Sequence, residues 1–131
     1  MVLDTSALVA IILGEPSAEV FGGLVVRSEA VMAAPNVLEA HLVLRKYLGD
    51  DANPVITSFL AKLKVAVIPF GEEHSAEATR AFDRFGKGRH PAALNFGDCM
   101  AYALAKVSGQ ALLFADADFA LTDIPAALKP A

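Results

Sequence analysis

The feature that most constrains this chain is a set of short apolar runs, too uniformly apolar to leave one face to water, separated by stretches of helical character. Val31-Met32-Ala33-Ala34, Val65-Ala66-Val67-Ile68 and Ala111-Leu112-Leu113-Phe114 are three such runs, and Val2-Leu3 is a shorter stub of the same kind. Strands buried on both faces belong to parallel sheets, whose members must be joined by crossovers that are usually helical. The chain therefore reads as a three-layer α/β/α sandwich around a mainly parallel sheet.

The punctuation between the runs supports this. Asp4, Thr5 and Ser6 are capping residues ahead of the run Ala7 to Leu13, which Gly14 ends. Glu15-Pro16-Ser17 opens a second helix through about Arg27, and Pro35 stops the strand that begins at Val31. Asn36 is placed to cap a helix whose Val37, His41, Leu44 and Leu48 share one side. After Gly49-Asp50-Asp51 a further helix runs from Pro54 to Leu63, and Pro69 closes the strand that follows. An amphipathic helix covers Glu72 to Phe85 and leads to the loop Gly86-Lys87-Gly88-Arg89-His90-Pro91. Asn95 caps the helix Phe96 to Ser108, which Gly109 ends.

With 131 residues, 55% hydrophobic and 20% charged, the chain has the material for one buried core, and residues 1–131 are expected to form a single domain. No repeat or linker divides it. Eleven Lys+Arg against 15 Asp+Glu exclude a diffuse basic surface and leave room only for a local patch. The single cysteine, Cys99, rules out an internal disulfide framework and a CxxC metal knuckle and suits a reducing compartment, so a cytoplasmic location is expected. Met1-Val2-Leu3-Asp4 lacks the basic and then apolar order of a signal peptide, and no later run is long enough to suggest a membrane span.

The acids carry the functional signal. Asp4 follows the first strand, Glu39 lies one turn past the second, and Asp116 and Asp118 follow the strand that begins at Ala111. These strand ends share one edge of a parallel sheet, where such folds place their sites. Asp98, in the first turn of a crossover helix, reaches the same edge. Each acid also has a plain structural reading, since Asn36-x-x-Glu39 and Asn95-x-x-Asp98 resemble capping boxes and Asp4 an N-cap. Caps alone would not gather like charges at one edge, where they repel and raise one another's pKa. A cation removes that cost, and hard oxygen donors without a Cys/His cluster favour magnesium or manganese over zinc.

Four segments in order resemble a PIN domain of the VapC toxin type. They are Val2-Leu-Asp4-Thr5-Ser6-Ala-Leu, the Glu39 helix, Gly86 through Asp98-Cys99, and Leu112-Leu-Phe-Ala-Asp116-Ala-Asp118-Phe through Thr122-Asp123-Ile. The resemblance covers nearly the whole chain. It implies a Mg2+- or Mn2+-dependent endoribonuclease, the toxin of a type II toxin–antitoxin pair, partnered by RNA, a small antitoxin and a second copy of itself. It makes Asp4 and Asp98 metal ligands and Glu39 a ligand or an acceptor for metal-bound water, with Thr5 or Ser6 hydrogen-bonding the carboxylates. For the fourth acid, Asp118 matches one version of the last motif and Asp116 the spacing of another, so both stand.

RNA must be gripped away from an anionic site. Arg80, Arg84, Lys87, Arg89 and His90 form the one basic concentration, and Gly86 and Gly88 would let backbone donors approach a phosphate. The opposing reading is a solvated face. Cys99 reads as a packed thiol, His41 as a packed residue and His74 as an exposed helix start. A receiver-like phosphoryl-transfer domain would want paired acids after the first strand and a late lysine, which are missing. A non-catalytic PIN-like interaction module is the alternative, against which the full set of acids argues.

Overall fold

A computed structural model describes residues 1–128. Four strands, β1 (Val2–Leu3), β2 (Val31–Ala33), β3 (Ala66–Ile68) and β4 (Leu112–Leu113), form one sheet in the order β3-β2-β1-β4, with every pairing parallel. Six helices cross between them: α1 (Thr5–Leu13), α2 (Ala18–Arg27), α3 (Ala34–Leu48), α4 (Ala52–Lys62), α5 (Glu72–Phe85) and α6 (Phe96–Ser108). Successive strand residues face opposite ways. Val2, Ala33 and Leu112 accordingly enter a core with α5 and α6, while Leu3, Met32 and Leu113 enter a second core with α1 to α4. This is the expected α/β/α sandwich, except that the edge strand β3, expected to be buried on both faces, leaves Ala66 and Val67 exposed and Ile68 half-buried. Beyond β4, Ala126 pairs in parallel with Leu112 and extends the sheet on that side.

The boundaries depart from expectation where a local signal has two meanings. Pro35 sits inside the first turn of α3 instead of ending a strand, because the N–H it lacks has no intrahelical partner there. Helix α3 therefore begins at Ala34, and Asn36 is a buried residue of its first turn, not its cap. Pro54 likewise lies in the first turn of α4, which begins at Ala52 after a 3-10 turn over Gly49–Asp51. Asp4 is the cap of α1, while Thr5 and Ser6 are already helical. A second 3-10 turn, Ala117–Leu121, is held by Phe119, buried against Phe114 with ring centroids 5.2 Å apart. That apolar anchor decides where the acids flanking it stand.

Asp123 ties the end of the chain to the helices. It accepts from the Tyr102 hydroxyl of α6 at 2.5 Å and from Lys106 at 3.0 Å, and pairs with Arg84 of α5 at 3.2 Å. Partial burial raises its pKa, but the Tyr102, Lys106 and Arg84 donors outweigh that and hold it below the usual carboxylate range. Among the described residues no single helix is long and apolar enough to cross a membrane.

Candidate active site

At the carboxyl edge of the sheet lies a cavity of about 300 Å³ ringed by Asp4, Glu15, Glu39, Asp98 and Asp116, with Thr5, Ser6 and Asn95 completing the wall. Asp4 is rooted in the sheet, its N–H donating to the Leu113 carbonyl at 2.9 Å. One of its oxygens, Oδ2, caps α1 by accepting from the Ser6 N–H at 3.0 Å and from the Ser6 hydroxyl. The other, Oδ1, is buried and has no hydrogen-bond partner, on a residue only 2% exposed. Burial is the main reason its pKa rises to about 7. The Ser6 bonds oppose the rise, and the Asp98 and Glu39 charges add to it.

Asp98 repeats the pattern. It forms a capping box with Asn95: the Asn95 N–H donates to Asp98 Oδ2 at 3.0 Å, and the Asp98 N–H donates to Asn95 Oδ1 at 2.8 Å. Burial pushes its pKa up to about 6 against the Asn95 bond, with Glu39, Asp118 and Asp116 adding to the rise. In both acids one oxygen caps a helix while Oδ1 takes no part in the cap. The cap and the site are therefore compatible uses of one carboxylate.

The supporting residues divide differently from expectation. The Ser6 hydroxyl donates to Asp4 and accepts from the Ala115 N–H at 2.9 Å, joining the first acid to the segment that carries Asp116. Thr5, turned about 100° away on the helix, donates to the Asn36 carbonyl at 3.2 Å and so fastens α1 to α3 without touching a carboxylate. Asn36, fully buried, donates through Nδ2 to Glu39 Oε1 at 3.2 Å and to the Gly97 carbonyl at 3.0 Å. It holds the third acid against the helix that carries Asp98.

Gly97 explains how the two helices approach so closely. A methyl group there would overlap the Glu39 carboxylate. The displaced group is the tip of a side chain and not backbone, so Gly97→Ala is expected to fold with a stability within about 1 kcal/mol of wild type while moving Glu39. The RNA cleavage that the resemblance implies should fall by roughly tenfold to a hundredfold, as for loss of a group that orients a ligand. Unchanged cleavage would show that the position of Glu39 does not matter.

Asp116 lines the cavity, and its pKa is raised by burial first and then by Asp118, Glu15 and Glu39. Asp118 is exposed, stands outside the lining and acts on Asp98 and Asp116 through its charge. Glu15 is a fifth wall carboxylate that sequence reasoning missed. Its signal was present, because Gly14 ends α1 at φ 66° and the Glu15 N–H folds back onto the Ala10 carbonyl at 3.0 Å.

A family model for the PIN domain matches residues 1–125. The chain belongs to the PIN-domain family. Ribonuclease VapC of Mycolicibacterium smegmatis is 43% identical over 127 residues, covering 96% of this chain and 98% of that protein. Ribonuclease VapC36 of Mycobacterium tuberculosis is 43% identical over 126 residues, covering 95% and 91%. In fold the chain resembles the crystal structure of Mycobacterium tuberculosis VapC20, a sarcin-ricin loop cleaving toxin, with a TM-score of 0.75 at 16% identity over 94% of this chain and 95% of that one. A toxin–antitoxin complex from Klebsiella pneumoniae gives a TM-score of 0.66 at 15% identity, covering 91% and 89%.

The donors of this PIN domain fit a hard divalent cation. All are carboxylate oxygens, and the buried Asp4 Oδ1 has no hydrogen-bond partner among the described residues, which leaves it available to a cation when the acid is ionised. Among the described residues no three His, Cys, Asp or Glu side chains stand close enough together to hold a metal ion as placed, so the acids ring the cavity without converging on a point. Cys99 is buried, and burial, then the Asp98 charge, raises its thiol to about 11, which leaves it an inert packing group.

The basic residues lie off this ring, and none of the five lines the cavity. Arg80 pairs with Glu77 at 2.7 Å, and Arg84 pairs with Asp123 and lies 4.6 Å from the centre of the Phe85 ring. His90 is half-buried, accepts from the Ala92 N–H at 3.0 Å and meets Phe85 edge-on. Lys87 and Arg89 form no ion pair among the described residues; the Arg89 guanidinium sits 5.7 Å from the Phe82 ring centre. Most of the loop's backbone donors are spent internally: the N–H groups of Gly86, Lys87, Arg89 and His90 reach carbonyls of residues 82–94, while that of Gly88 does not. Gly86 serves close packing instead, since a methyl group there would overlap the Phe82 carbonyl.

The remaining histidines are structural. His74 caps α5 by accepting from the Gly71 N–H at 3.0 Å and packs on Phe70, so it is half-buried and not an exposed helix start. His41 is half-buried beside Val37, Leu38 and Ile56, in keeping with a packed residue.

Proposed function

We propose that this PIN domain is a Mg2+- or Mn2+-dependent endoribonuclease acting as the toxin of a type II toxin–antitoxin pair, with Asp4, Asp98 and Asp116 as metal ligands. The observation that carries the site is the unpartnered Oδ1 of Asp4 in a ring of carboxylates. When bound there, the cation supplies Lewis-acid polarisation of the phosphate and a lowered pKa for the attacking water. Ser6 holds Asp4 by Oδ2 and leaves Oδ1 without a partner among the described residues, and Asn36 holds Glu39 where it would accept a proton from water. Asp118 adds to the local negative field from outside the wall. The ring by itself repels a phosphodiester, which is why the reading requires a cation.

RNA is the substrate by likeness to the VapC ribonucleases, and the toxin–antitoxin complex among the structural neighbours supports an antitoxin partner. A homodimer and a cytoplasmic location complete the proposal. Purified protein should cleave a mixed RNA pool in Mg2+ or Mn2+ and lose that activity in chelator. Metal-indifferent cleavage, or none in either ion, would leave a non-catalytic PIN-like module as the reading.

Of the five residues in the basic concentration, Lys87 and Arg89 are exposed cations that form no ion pair among the described residues and are free to meet the RNA backbone. Replacing both by Ala, in the inactive Asp98→Asn background so that the RNA survives, should weaken binding. On single-stranded RNA the salt slope should flatten by about 0.7 for each phosphate no longer neutralised. In the active protein, cleavage at saturating RNA should fall much less. An unchanged slope would assign the loop to solvent.

A further inference from the structure

Beside the acid cavity, between α3 and α6, lies a largely apolar surface. Phe96, the first residue of α6, is 79% exposed, the most exposed of the large apolar side chains described. Leaving an apolar ring in water forgoes the stabilisation that burial would bring, so the position favours contact with something outside the chain. Its backbone is rigid, because the Asn95–Asp98 capping box closes over it. Asn95 and Glu39 line the acid cavity and also an adjoining apolar cavity of about 310 Å³, whose walls include Phe96, Leu38 and Met100. The two cavities thus share Glu39 and Asn95 as a common wall.

We infer that Phe96 is the platform on which an unpaired base of the RNA stacks, next to the phosphate held at the acid cavity. The adjoining cavity is lined by no lysine or arginine and by one carboxylate, Glu39, so it suits the uncharged face of a base and disfavours phosphate. Single-stranded RNA is recognised largely by such stacking on aromatic rings. The inference rests on the ribonuclease reading and adds to it a residue that positions substrate. Stacking is made about equally in ground and transition states, so its loss appears in KM and not in kcat.

The chain contains no tryptophan, so Phe96→Trp introduces a single fluorescent reporter. In the Asp98→Asn background, its emission should be quenched by a single-stranded RNA that the wild type cleaves. The same RNA with abasic nucleotides on both sides of the cleavage point should quench much less. In the active protein, Phe96→Ala should raise KM about fivefold to a hundredfold with little change in kcat, and Phe96→Tyr should restore it. Equal quenching by intact and abasic RNA, or an unchanged KM in Phe96→Ala, would overturn the inference. So would a Phe96→Ala protein that changes oligomeric state in sedimentation or loses antitoxin binding while keeping its RNA affinity, because the ring would then belong to a protein interface. Wild-type protein inert toward RNA in Mg2+ would instead remove the ribonuclease reading, and this inference with it.

Discussion

Asp98→Asn is expected to fold as the wild type does and to lose cleavage by roughly a thousandfold or more, the several kcal/mol that a properly held cation contributes to such a reaction. The asparagine side chain keeps an oxygen to accept the Asn95 N–H, so the capping box at the start of α6 survives. What disappears is the charge directed at the cavity. Cleavage rates in Mg2+, with circular dichroism melts on the same preparation, measure both halves of this expectation. An Asp98→Asn protein with full activity would remove Asp98 from the chemistry and return it to a cap alone.

Asp4→Asn should make the metal-free protein more stable above neutral pH while abolishing its response to divalent ions. In the folded chain the Asp4 carboxyl is raised from 3.8 to about 7, mainly by burial, and Asp98 is raised from 3.8 to about 6. Between those values the folded protein holds protons that the unfolded chain has released, so unfolding free energy falls as pH climbs from about 4 to about 7 and levels off above. Below about pH 4 both states are protonated and the penalty vanishes. Melting in chelator should therefore show Asp4→Asn exceeding wild type at pH 8, by an amount on the order of a few kcal/mol, with the gap closing as pH falls toward 4. Saturating Mg2+ should raise the wild-type melting temperature at pH 8 and leave the variant nearly unmoved. A parallel pH profile for the two proteins would show that Asp4 carries no buried charge.

The case of Asn36 shows where sequence reasoning stops. Its spacing to Glu39 is that of a capping box, and the two side chains are indeed hydrogen-bonded. Yet the helix starts before it, at Ala34, and Asn36 spends its amide on a residue 61 positions away. Pro35 misled for a related reason, since a proline that ends a strand and one that enters a helix look alike until the preceding backbone is placed. The basic loop is a third instance. Its glycines read as room for a phosphate, but Gly86 is needed for close packing on its own helix, and of the two only Gly88 keeps an N–H that is not closed on a carbonyl of the loop.

By itself the sequence determined the alternation of strands and crossover helices, the caps at Asp4 and Asn95, and the edge to which Asp4, Glu39, Asp98 and Asp116 are delivered, though not that the edge strand β3 stays exposed. All of these follow from short-range rules: apolar runs without a polar face, a side-chain oxygen within three residues of a free N–H, and the shared direction of parallel strands. Only the tertiary structure decided that Asp4 Oδ1 is left without a partner, that Ser6 and not Thr5 bonds the acid, and that Asp116 and not Asp118 lines the cavity. It also brought Glu15 into the wall and set Gly97 against Glu39. Desolvation and close approach depend on segments that meet only after the sheet is assembled, and no local pattern along the chain carries that distance.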